Sequence, residues 1–285
     1  MKKILIIGKG SYIGESLYKW MTKYGNKYEI CVVSSLNYEW KLSNFYEYDV
    51  VVDFAGIAHI SNITNDMEKL FYSVNRDLTI EIAEYSKKLG IKHFIYFSSM
   101  NVYGDFCDGV NDINDVNPTS FYGKSKLCGD EGVRKLADEN FVVTVIRPPF
   151  VYGSGCKGNY NLLSNISKKL PVFPTYRNKK SMIYIDNLCE FIRLIIDNRQ
   201  KGIFIPQNKE LVSTSDIVKE ISSVNGKKVF LVEVFNPLIK PLINISGLFK
   251  KAFSNDYFDI QASNYFDWEY CVVDFKTSIR KTEEI

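Results

Sequence analysis

Two rhythms of apolar and polar positions alternate along the first half of the chain. Short β-branched or aromatic runs end at glycine, serine or proline, and stretches with an apolar residue every three or four positions separate most of them. The first rhythm is typical of strands buried on both faces, and the second of amphipathic helices. The pattern predicts strands at 3–7, 29–33, 49–54, 93–97 and 141–146, and helices at 13–24, 66–89 and 121–140.

Strands separated by helices of this length predict an α/β fold with a doubly wound parallel sheet. The rhythm changes after residue 151. Residues 153–180 are rich in Gly, Asn, Pro and Lys and predict loops, whereas 184–198 and 215–225 predict helices and 202–206 a short strand. Ser213 or Thr214 is the expected N-cap of the helix at 215–225. The last part is aromatic and irregular. We expect one body over 1–150, with 184–206 returning to it, and a smaller interleaved C-terminal cap made of 151–183 and 207–285.

Composition and charge exclude several classes of protein. The chain has 285 residues, 46% hydrophobic and 24% charged, which suffices for a large core. Its 36 basic and 33 acidic residues are interspersed, so a nucleic-acid partner is not expected. The most apolar long stretch, 231–253, is interrupted by Glu233, Pro237, Lys240 and Pro241, which excludes stable membrane insertion. We expect a helix packed on the domain, with contact to a membrane surface as the alternative.

The cysteines and histidines indicate neither a metal site nor a disulfide framework. Six scattered cysteines form no CxxC pair, and His59 and His93 are the only histidines. Scattered cysteines in a chain of this size are typical of a reducing compartment. No secretory signal is recognisable, so we expect a cytoplasmic protein without a metal.

A glycine-rich stretch follows the first predicted strand. It reads Gly8-Lys9-Gly10-Ser11-Tyr12-Ile13-Gly14 and leads into the first helix. Glycines allow the backbone to approach a phosphate closely, and the start of a helix attracts the anion. In this context the stretch predicts the dinucleotide loop of a Rossmann domain, with Gly8, Gly10, Ser11, Tyr12, Ile13 and Gly14 binding the cofactor.

The end of the second strand bears on the choice of cofactor. An NAD-binding Rossmann unit usually has an acidic residue there, which binds the ribose hydroxyls. Here the residues are Ser34 and Ser35, which do not repel a 2′-phosphate and can donate hydrogen bonds to it. The cofactor is therefore expected to be NADP or NAD, with Ser34 and Ser35 at the ribose.

Three polar residues suggest proton transfer beside a nicotinamide. Tyr122 and Lys126 are four positions apart and share one face of the predicted helix. A neighbouring ammonium is expected to lower the pKa of the tyrosine and make it a general acid–base. Ser99 follows the fourth strand, at the sheet edge where ligands bind, and can hydrogen-bond the same substrate oxygen.

With these motifs in this order, the chain resembles the extended short-chain dehydrogenase/reductase family, in its branch of nucleotide-sugar epimerases and dehydratases. Further matches are Ala55-Gly56, Asn75, the run Ser98–Gly104 and Arg147-Pro148-Pro149. The resemblance implies that Ser99, Tyr122 and Lys126 are catalytic. It also implies that Ala55, Gly56, Asn75 and Pro149, together with Tyr122 and Lys126, contact the cofactor.

The two residues that directly follow Ser99 restrict the type of reaction. Dehydratases of this branch usually carry an Asp-Glu pair there, whereas this chain has Met100 and Asn101, neither of which is an acid or base. Elimination of water is therefore disfavoured. By the resemblance, Asn101 and Tyr103 contact the substrate.

The resemblance also assigns substrate contacts to the cap. Candidates for a nucleoside diphosphate are Asn159, Tyr160, Asn161, Arg177 and Lys180, and Val172 and Phe173 match the uracil-binding stretch. Lys180 stands where the family usually has arginine, so it cannot bind a phosphate through two parallel hydrogen bonds.

Two reactions fit, and both act at C4 of a UDP-hexose, expected to be of the UDP-N-acetylhexosamine type. The expected one is reduction of a 4-keto sugar by NAD(P)H, because Ser34 and Ser35 tolerate NADPH. The alternative is 4-epimerisation with a tightly bound NAD. A module that only senses NADP(H) is disfavoured because all three catalytic residues are present. Family members often dimerise through two helices per chain, here 66–89 and 121–140, so a homodimer is expected.

Overall fold

A computed structural model describes residues 1–58, 65–105 and 107–284. They form two compact units. The first comprises Met1–Asp105, Ile113–Pro148 and Leu188–Pro206, and the second comprises Phe106–Asp112, Pro149–Asn187 and Gln207–Ile285.

In chain order, the strands of the described residues are β1 (Lys2–Ile7), β2 (Tyr28–Val33), β3 (Val50–Asp53), β4 (His93–Phe97), β5 (Asp108–Val110), β6 (Val142–Ile146), β7 (Phe150–Tyr152), β8 (Val172–Pro174), β9 (Met182–Tyr184), β10 (Gly202–Phe204), β11 (Phe230–Val232) and β12 (Tyr257–Phe258). The α-helices are α1 (Tyr12–Thr22), α2 (Asn65–Tyr72), α3 (Thr79–Lys88), α4 (Phe121–Arg134), α5 (Asn159–Ser167), α6 (Ile185–Asp197), α7 (Thr214–Val224), α8 (Asn236–Ile245), α9 (Gly247–Phe253) and α10 (Phe275–Glu283).

A six-stranded parallel sheet forms the centre of the first unit, and the predicted doubly wound α/β fold is confirmed. The strand order is β10-β6-β4-β3-β1-β2, with every pair parallel. All residues of β3 and β4 are buried, as expected for strands covered on both faces. The strand order reverses between β1 and β3. At such a point the carboxyl ends of the strands open a crevice that can hold a ligand.

The connection between β2 and β3 contains no α-helix. It consists of 3₁₀ turns at Leu36–Leu42 and Phe45–Glu47. Trp40 and Phe45 in these turns are fully buried and pack edge to face, with ring centroids 6.1 Å apart. These large aromatic side chains fill the space beside the sheet that a crossover helix would otherwise cover.

Two predicted helices differ from the observed ones. The predicted helix at 66–89 is divided into α2 and α3 by a π-helical turn, Ser73–Leu78, which adds a residue to the helical repeat and redirects Asn75. The predicted helix at 121–140 ends at Arg134. Asp138 accepts hydrogen bonds from the amides of Asn140 and Phe141, both at 2.8 Å, and this local turn competes with the helix.

In the second unit the prediction of loops over 153–180 is wrong, because α5 and β8 lie there. The helical structure expected within 231–253 is present as α8 and α9, whereas the last part, predicted to be irregular, contains α10. Tertiary contacts stabilise these elements. Tyr160 of α5, for example, stacks on Tyr152 at 5.7 Å. Ser213, one of the two predicted N-caps, caps helix α7 and forms a full capping box with Asp216.

Short strands pair in the second unit as β7 with β9, β8 with β11 and β5 with β12. Phe173, Val218, Ile239 and Phe253 form one of its apolar cores. Among the helices of the described ranges, none has the length and apolar composition needed to cross a bilayer.

Candidate active site

The loop between β1 and α1 has the shape of an anion-binding turn. Gly8 has a φ of +128°, and a Cβ there would lie 3.0 Å from the Cβ of Phe54, so only glycine fits without strain. Ser11 is the N-cap of α1, and its Oγ accepts a hydrogen bond from Gly14 at 3.1 Å. A Cβ on Gly14 would lie 2.5 Å from that oxygen. The loop therefore keeps its backbone open at the start of a helix.

The first turn of α1, which follows this loop, contains an acidic residue that the sequence reading missed. The Glu15 carboxylate accepts a hydrogen bond from the amide of Gly10 at 2.9 Å. The Cβ side of Gly10 is open, and the amide of Ser11 donates to the carbonyl of Gly8 at 2.9 Å. The open Gly10 backbone at the start of α1 could hold one phosphate of a dinucleotide once Glu15 releases the Gly10 amide.

The end of β2 lies directly beside this loop. The amides of Gly8 and Lys9 both donate to the carbonyl of Val33, at 2.9 Å. Ser34 and Ser35 follow, half-buried, and the hydroxyl of Ser34 accepts from the amide of Leu36 at 3.0 Å. The exposed Lys9 therefore lies next to the end of β2, which Ser34 and Ser35 follow. The end of β2 carries no carboxylate.

Asp53 ends β3 and is fully buried. Its Oδ1 accepts from the amide of Ala55 at 2.8 Å, and its Oδ2 has no hydrogen-bond partner among the described residues. Burial raises the pKa of Asp53 to about 6, although the Ala55 amide and the charge of Lys126 oppose the rise. A carboxyl of this kind can carry a proton in the physiological range.

Asn75 fastens the loop after β3 to α4. Its side chain accepts from the amide of Ile57 at 2.9 Å and donates to the carbonyl of Ile57 at 3.2 Å and to Ser125 Oγ at 3.0 Å. A Cβ on Gly56 would lie 3.1 Å from Asn75 Oδ1 and 3.2 Å from Lys126 Nζ. These contacts bring Ala55, Gly56 and Asn75 to the side of Lys126.

Ser99 follows β4 and begins the 3₁₀ turn Met100–Tyr103. Its hydroxyl donates to Asn101 Oδ1 at 3.0 Å and accepts from the amide of Asn101 at 3.2 Å. The hydroxyl hydrogen of Ser99 is therefore engaged in a hydrogen bond to the Asn101 side chain. Tyr103 is buried, and its hydroxyl donates to the carbonyl of Ile113 at 3.2 Å.

Tyr122 lies in the first turn of α4, which begins after the N-cap Ser120. A Cβ on the next residue, Gly123, would collide with the carbonyl oxygen of Asn101, so this glycine allows α4 to approach the Ser99 turn. Burial raises the pKa of Tyr122, and hydrogen bonding with Ser99 partly opposes the rise. The lowered pKa expected from the spacing to Lys126 is therefore wrong for the protein alone, because desolvation of the phenol dominates.

Lys126 is a buried cation among carboxylates. It is 5% exposed, and its Nζ lies 4.6 Å from the ring centre of Tyr96. Burial lowers the pKa of Lys126 to about 8, while the charges of Asp53 and Asp130 act in the opposite direction. A Cβ on Gly56 would lie 3.2 Å from Nζ, so the ammonium lies against the loop that follows β3.

A buried ion pair supports this end of α4. Arg147 Nε lies 2.8 Å from Asp130 Oδ2, and both side chains are almost fully buried. The same guanidinium donates to Tyr103 Oη at 2.8 Å and to the carbonyl of Ile113 at 2.6 Å. Arg147 thereby ties the end of β6 to α4 and to the Ser99 turn.

The predicted cap residues belong to the second unit and differ in exposure. Asn159, Asn161, Val172 and Arg177 are exposed, and Asn161 donates to the carbonyl of Cys156 at 3.0 Å. The side chains of Tyr160 and Phe173 lie in the interior. Lys180 Nζ donates to the carbonyl of Lys251 at 3.1 Å, and burial lowers its pKa. Pro149, predicted to touch the cofactor, is buried immediately before β7.

Asp53, Glu15 and Asp130 are the acidic residues that the sequence reading missed. Asp53 had a detectable signal, since it is the one charged residue in the apolar run Val50–Phe54. Glu15 and Asp130 lie on helices where charged residues are ordinary. His59 lies outside the described residues.

The parallel sheet, the glycine cradle and the Ser99–Tyr122–Lys126 cluster define an enzyme of the nicotinamide-dinucleotide class. Residues 4–205 match the model of the NAD dependent epimerase/dehydratase family. The chain belongs to this family.

The chain is similar in sequence to two curated relatives of known name. A UDP-glucose 4-epimerase of Vibrio cholerae is 29% identical over 265 residues, covering 82% of this chain and 79% of that protein. An Escherichia coli O157:H7 protein, N-acetyl-alpha-D-glucosaminyl-diphospho-ditrans,octacis-undecaprenol 4-epimerase, is 31% identical over 176 residues. That match covers 59% of this chain and 53% of the relative, so this chain spans about half of it.

Among solved structures, UDP-glucuronic acid 4-epimerase from Bacillus cereus in complex with NAD has a TM-score of 0.75 at 18% identity. The match covers 99% of this chain and 97% of that one. At 18% identity this similarity shows a shared fold and nothing more specific.

Proposed function

We propose that this protein is a UDP-hexose 4-epimerase that retains NAD, with a UDP-N-acetylhexosamine as its class of substrate. The observation that carries the proposal is the cluster of Ser99, Tyr122 and Lys126 beside Met100 and Asn101. The cluster can move a proton to and from a sugar hydroxyl. Met100 and Asn101 cannot remove a proton from carbon, which favours chemistry at C4 without elimination. Both curated relatives described above bear the name of a 4-epimerase.

Each residue has a defined task in this proposal. The glycine loop and the first amides of α1 hold one phosphate of the cofactor, and Lys126 donates to its ribose. When bound, the nicotinamide supplies reversible hydride exchange with C4. Tyr122 would act as a phenolate, stabilised by the charge of Lys126 once the cofactor is bound: it takes the proton of the C4 hydroxyl and later returns it to the C4 oxygen. Ser99 donates to the same oxygen after it releases Asn101 Oδ1, and Asp53 keeps Lys126 charged.

Substrate binding is proposed for residues of the second unit. Arg177 is exposed and Lys180 is cationic, so both suit a diphosphate. Asn159 and Asn161 offer amide donors, and exposed Val172 offers an apolar contact for the base. A substrate whose diphosphate is carried on a polyprenol, as the name of the second relative indicates for that protein, is the alternative to a nucleotide.

A 4-ketoreductase that uses NADPH is the second candidate. Ser34 and Ser35 favour it, because no carboxylate at the end of β2 repels a 2′-phosphate, and Lys9 lies beside them. A reductase must release its oxidised cofactor after every turnover, whereas an epimerase keeps the cofactor bound.

The experiment combines cofactor release with turnover. Protein purified without added cofactor is denatured, and the released nucleotide is identified by chromatography. A second, native portion of the same preparation is incubated with UDP-N-acetylglucosamine and UDP-glucose. The proposal predicts bound NAD and formation of the 4-epimer without added cofactor. A protein that contains no NAD and oxidises NADPH only with a UDP-4-keto sugar supports the reductase and refutes the epimerase.

A further inference from the structure

Helix α8 presents apolar side chains on two different faces. On one face, Ile239 and Ile243 pack against the core of the second unit that contains Phe173 and Phe253. Four other apolar residues follow each other at intervals of three, four and three positions, which places them on one separate face of the helix. We call this set the apolar stripe: Phe235, Leu238, Leu242 and Ile245.

Three residues of the apolar stripe are exposed, and the fourth, Leu242, is half-buried. Leu238 is 59% exposed, Ile245 is 79% exposed and Phe235 is 43% exposed. Val234 and Leu248, which adjoin the stripe in the chain, are also exposed. A helix on a protein surface normally turns polar residues outward, and a helix that is apolar on nearly every side is usually covered. A cluster of large exposed apolar side chains marks an interaction surface.

The charge of the same segment indicates what covers it. Between Glu233 and Asp256 there is no acidic residue, whereas Lys240, Lys250 and Lys251 are all exposed. The segment therefore carries three positive charges beside its apolar surface. Apolar side chains combined with lysines and no acidic residues are typical of helices that lie in the headgroup region of an anionic bilayer.

We propose that the apolar stripe and these lysines dock the protein on the surface of an anionic lipid bilayer, with α8 lying along the interface. A second copy of this chain is a poorer occupant. A two-fold interface brings the same surface of both chains together, and the lysines would then face lysines without a carboxylate between them. The docking is peripheral, because α8 has ten residues and is far too short to cross the membrane.

This inference goes beyond the proposed function and does not rest on it, since it involves neither the cofactor nor a sugar. The test is sedimentation of the full-length protein with vesicles of phosphatidylcholine and phosphatidylglycerol in equal parts, compared with pure phosphatidylcholine. Wild-type protein should sediment with the mixed vesicles and dissociate in high salt. The double variant Leu238→Glu/Ile245→Glu should bind at least about tenfold more weakly.

Two further variants separate the contributions. Lys250→Gln/Lys251→Gln should weaken binding about fivefold for each lysine on the mixed vesicles only. Leu42→Glu is the matched control, because Leu42 is 88% exposed in the first unit and should not affect binding. Circular dichroism and the thermal midpoint check that each variant is folded.

Three results would overturn the proposal. One is wild-type protein that stays in solution with anionic vesicles. Another is a folded Leu238→Glu/Ile245→Glu variant that sediments like wild type. The third is a wild-type protein that does not bind vesicles but forms a concentration-dependent dimer in analytical ultracentrifugation, while the Leu238→Glu/Ile245→Glu variant is monomeric. A second copy of the chain would then cover the stripe.

Discussion

Burial governs the titratable side chains around α4. Desolvation raises the pKa of Tyr122 and lowers that of Lys126, so burial alone shifts both groups toward their neutral forms. The buried carboxylates of Asp53 and Asp130 counteract this effect at Lys126. The chain thus supplies negative charge from the β3 end and from α4 to keep a lysine protonated in a nearly dry environment.

Tyr122→Phe tests the proton-transfer role. The substitution removes only the phenolic oxygen, so we expect kcat to fall about 10²–10⁴-fold while the content of bound cofactor stays unchanged. Steady-state conversion of the UDP-sugar and chromatography of the released cofactor measure the two quantities. Tyr46→Phe, at an exposed position, is the control. Undiminished turnover of Tyr122→Phe would remove this residue from the mechanism.

Asp53→Asn tests the buried carboxyl through the pH dependence of stability. The folded-state pKa of about 6 lies above the ordinary value of 3.8, so the unfolded chain loses the proton first. The stability that neutral Asp53 contributes is therefore present below pH 4 and lost as pH rises through 6. Relative to Asp53→Asn, wild-type protein should lose up to about 3 kcal/mol over this range. Denaturant unfolding of both proteins at several pH values measures the difference, and a pH-independent difference contradicts the raised pKa.

At the scale of elements, α4 holds the candidate site together because it approaches two neighbours closely. Gly123 allows contact with the Ser99 turn, and the Asp130–Arg147 pair joins α4 to the end of β6. The π-helical turn at Ser73–Leu78 brings Asn75 to the loop after β3 and to Ser125 of α4. The position of the catalytic side chains therefore depends on contacts between elements that are distant in sequence.

Gly123→Ala should disturb this approach. The added methyl group collides with the carbonyl of Asn101 unless α4 or the turn moves, which we expect to cost about 1–3 kcal/mol of unfolding free energy. The same shift displaces Tyr122 relative to Ser99, so kcat should fall as well. Lys124→Ala, on the exposed side of the same helix, is the matched control. Equal activity and stability of the two variants would show that the approach is not required.

Arg147→Met should destabilise the protein more than Arg134→Met, which changes the more exposed partner of Asp130. The variant leaves Asp130 buried beside the half-exposed Arg134 alone, and the loss of one partner from a buried pair costs about 3–5 kcal/mol. Arg134→Met removes the more exposed partner and should cost about 1 kcal/mol or less. Urea denaturation of both variants compares them. Similar losses would contradict the assignment of Arg147 as the buried anchor.

At the scale of the whole molecule, local signals account for the parts that were predictable. The sheet followed from apolar runs such as Ile4–Ile7 and His93–Phe97, and the crevice from the glycine loop at the strand-order reversal. The π-helical turn at Asn75 was not predictable, because ordinary helical spacing continues through it. Helix α5 was also missed, since its Asn- and Ser-rich sequence is stabilised by the stacking of Tyr160 on Tyr152.

The electrostatics of the site were equally hidden in the sequence. The spacing of Tyr122 and Lys126 suggested that the ammonium lowers the pKa of the phenol, but the fold directs the carboxylates of Asp53 and Asp130 at the lysine and buries the phenol. Asp53 and Lys126 are more than seventy positions apart, and local periodicity contains no information about their proximity. The same holds for Glu15, whose bond to the Gly10 amide depends on the closed shape of the loop.

In the proposed function, the protein inverts C4 of a UDP-hexose by reversible transfer of the C4 hydrogen. The most direct measurement uses a UDP-hexose with deuterium at C4 and follows the product by NMR and mass spectrometry. Epimerisation by hydride transfer should give the 4-epimer with deuterium retained at C4, because the hydrogen leaves and returns without exchange with water. A 4-epimer that has lost its deuterium to solvent, or the absence of any inversion at C4, would contradict it.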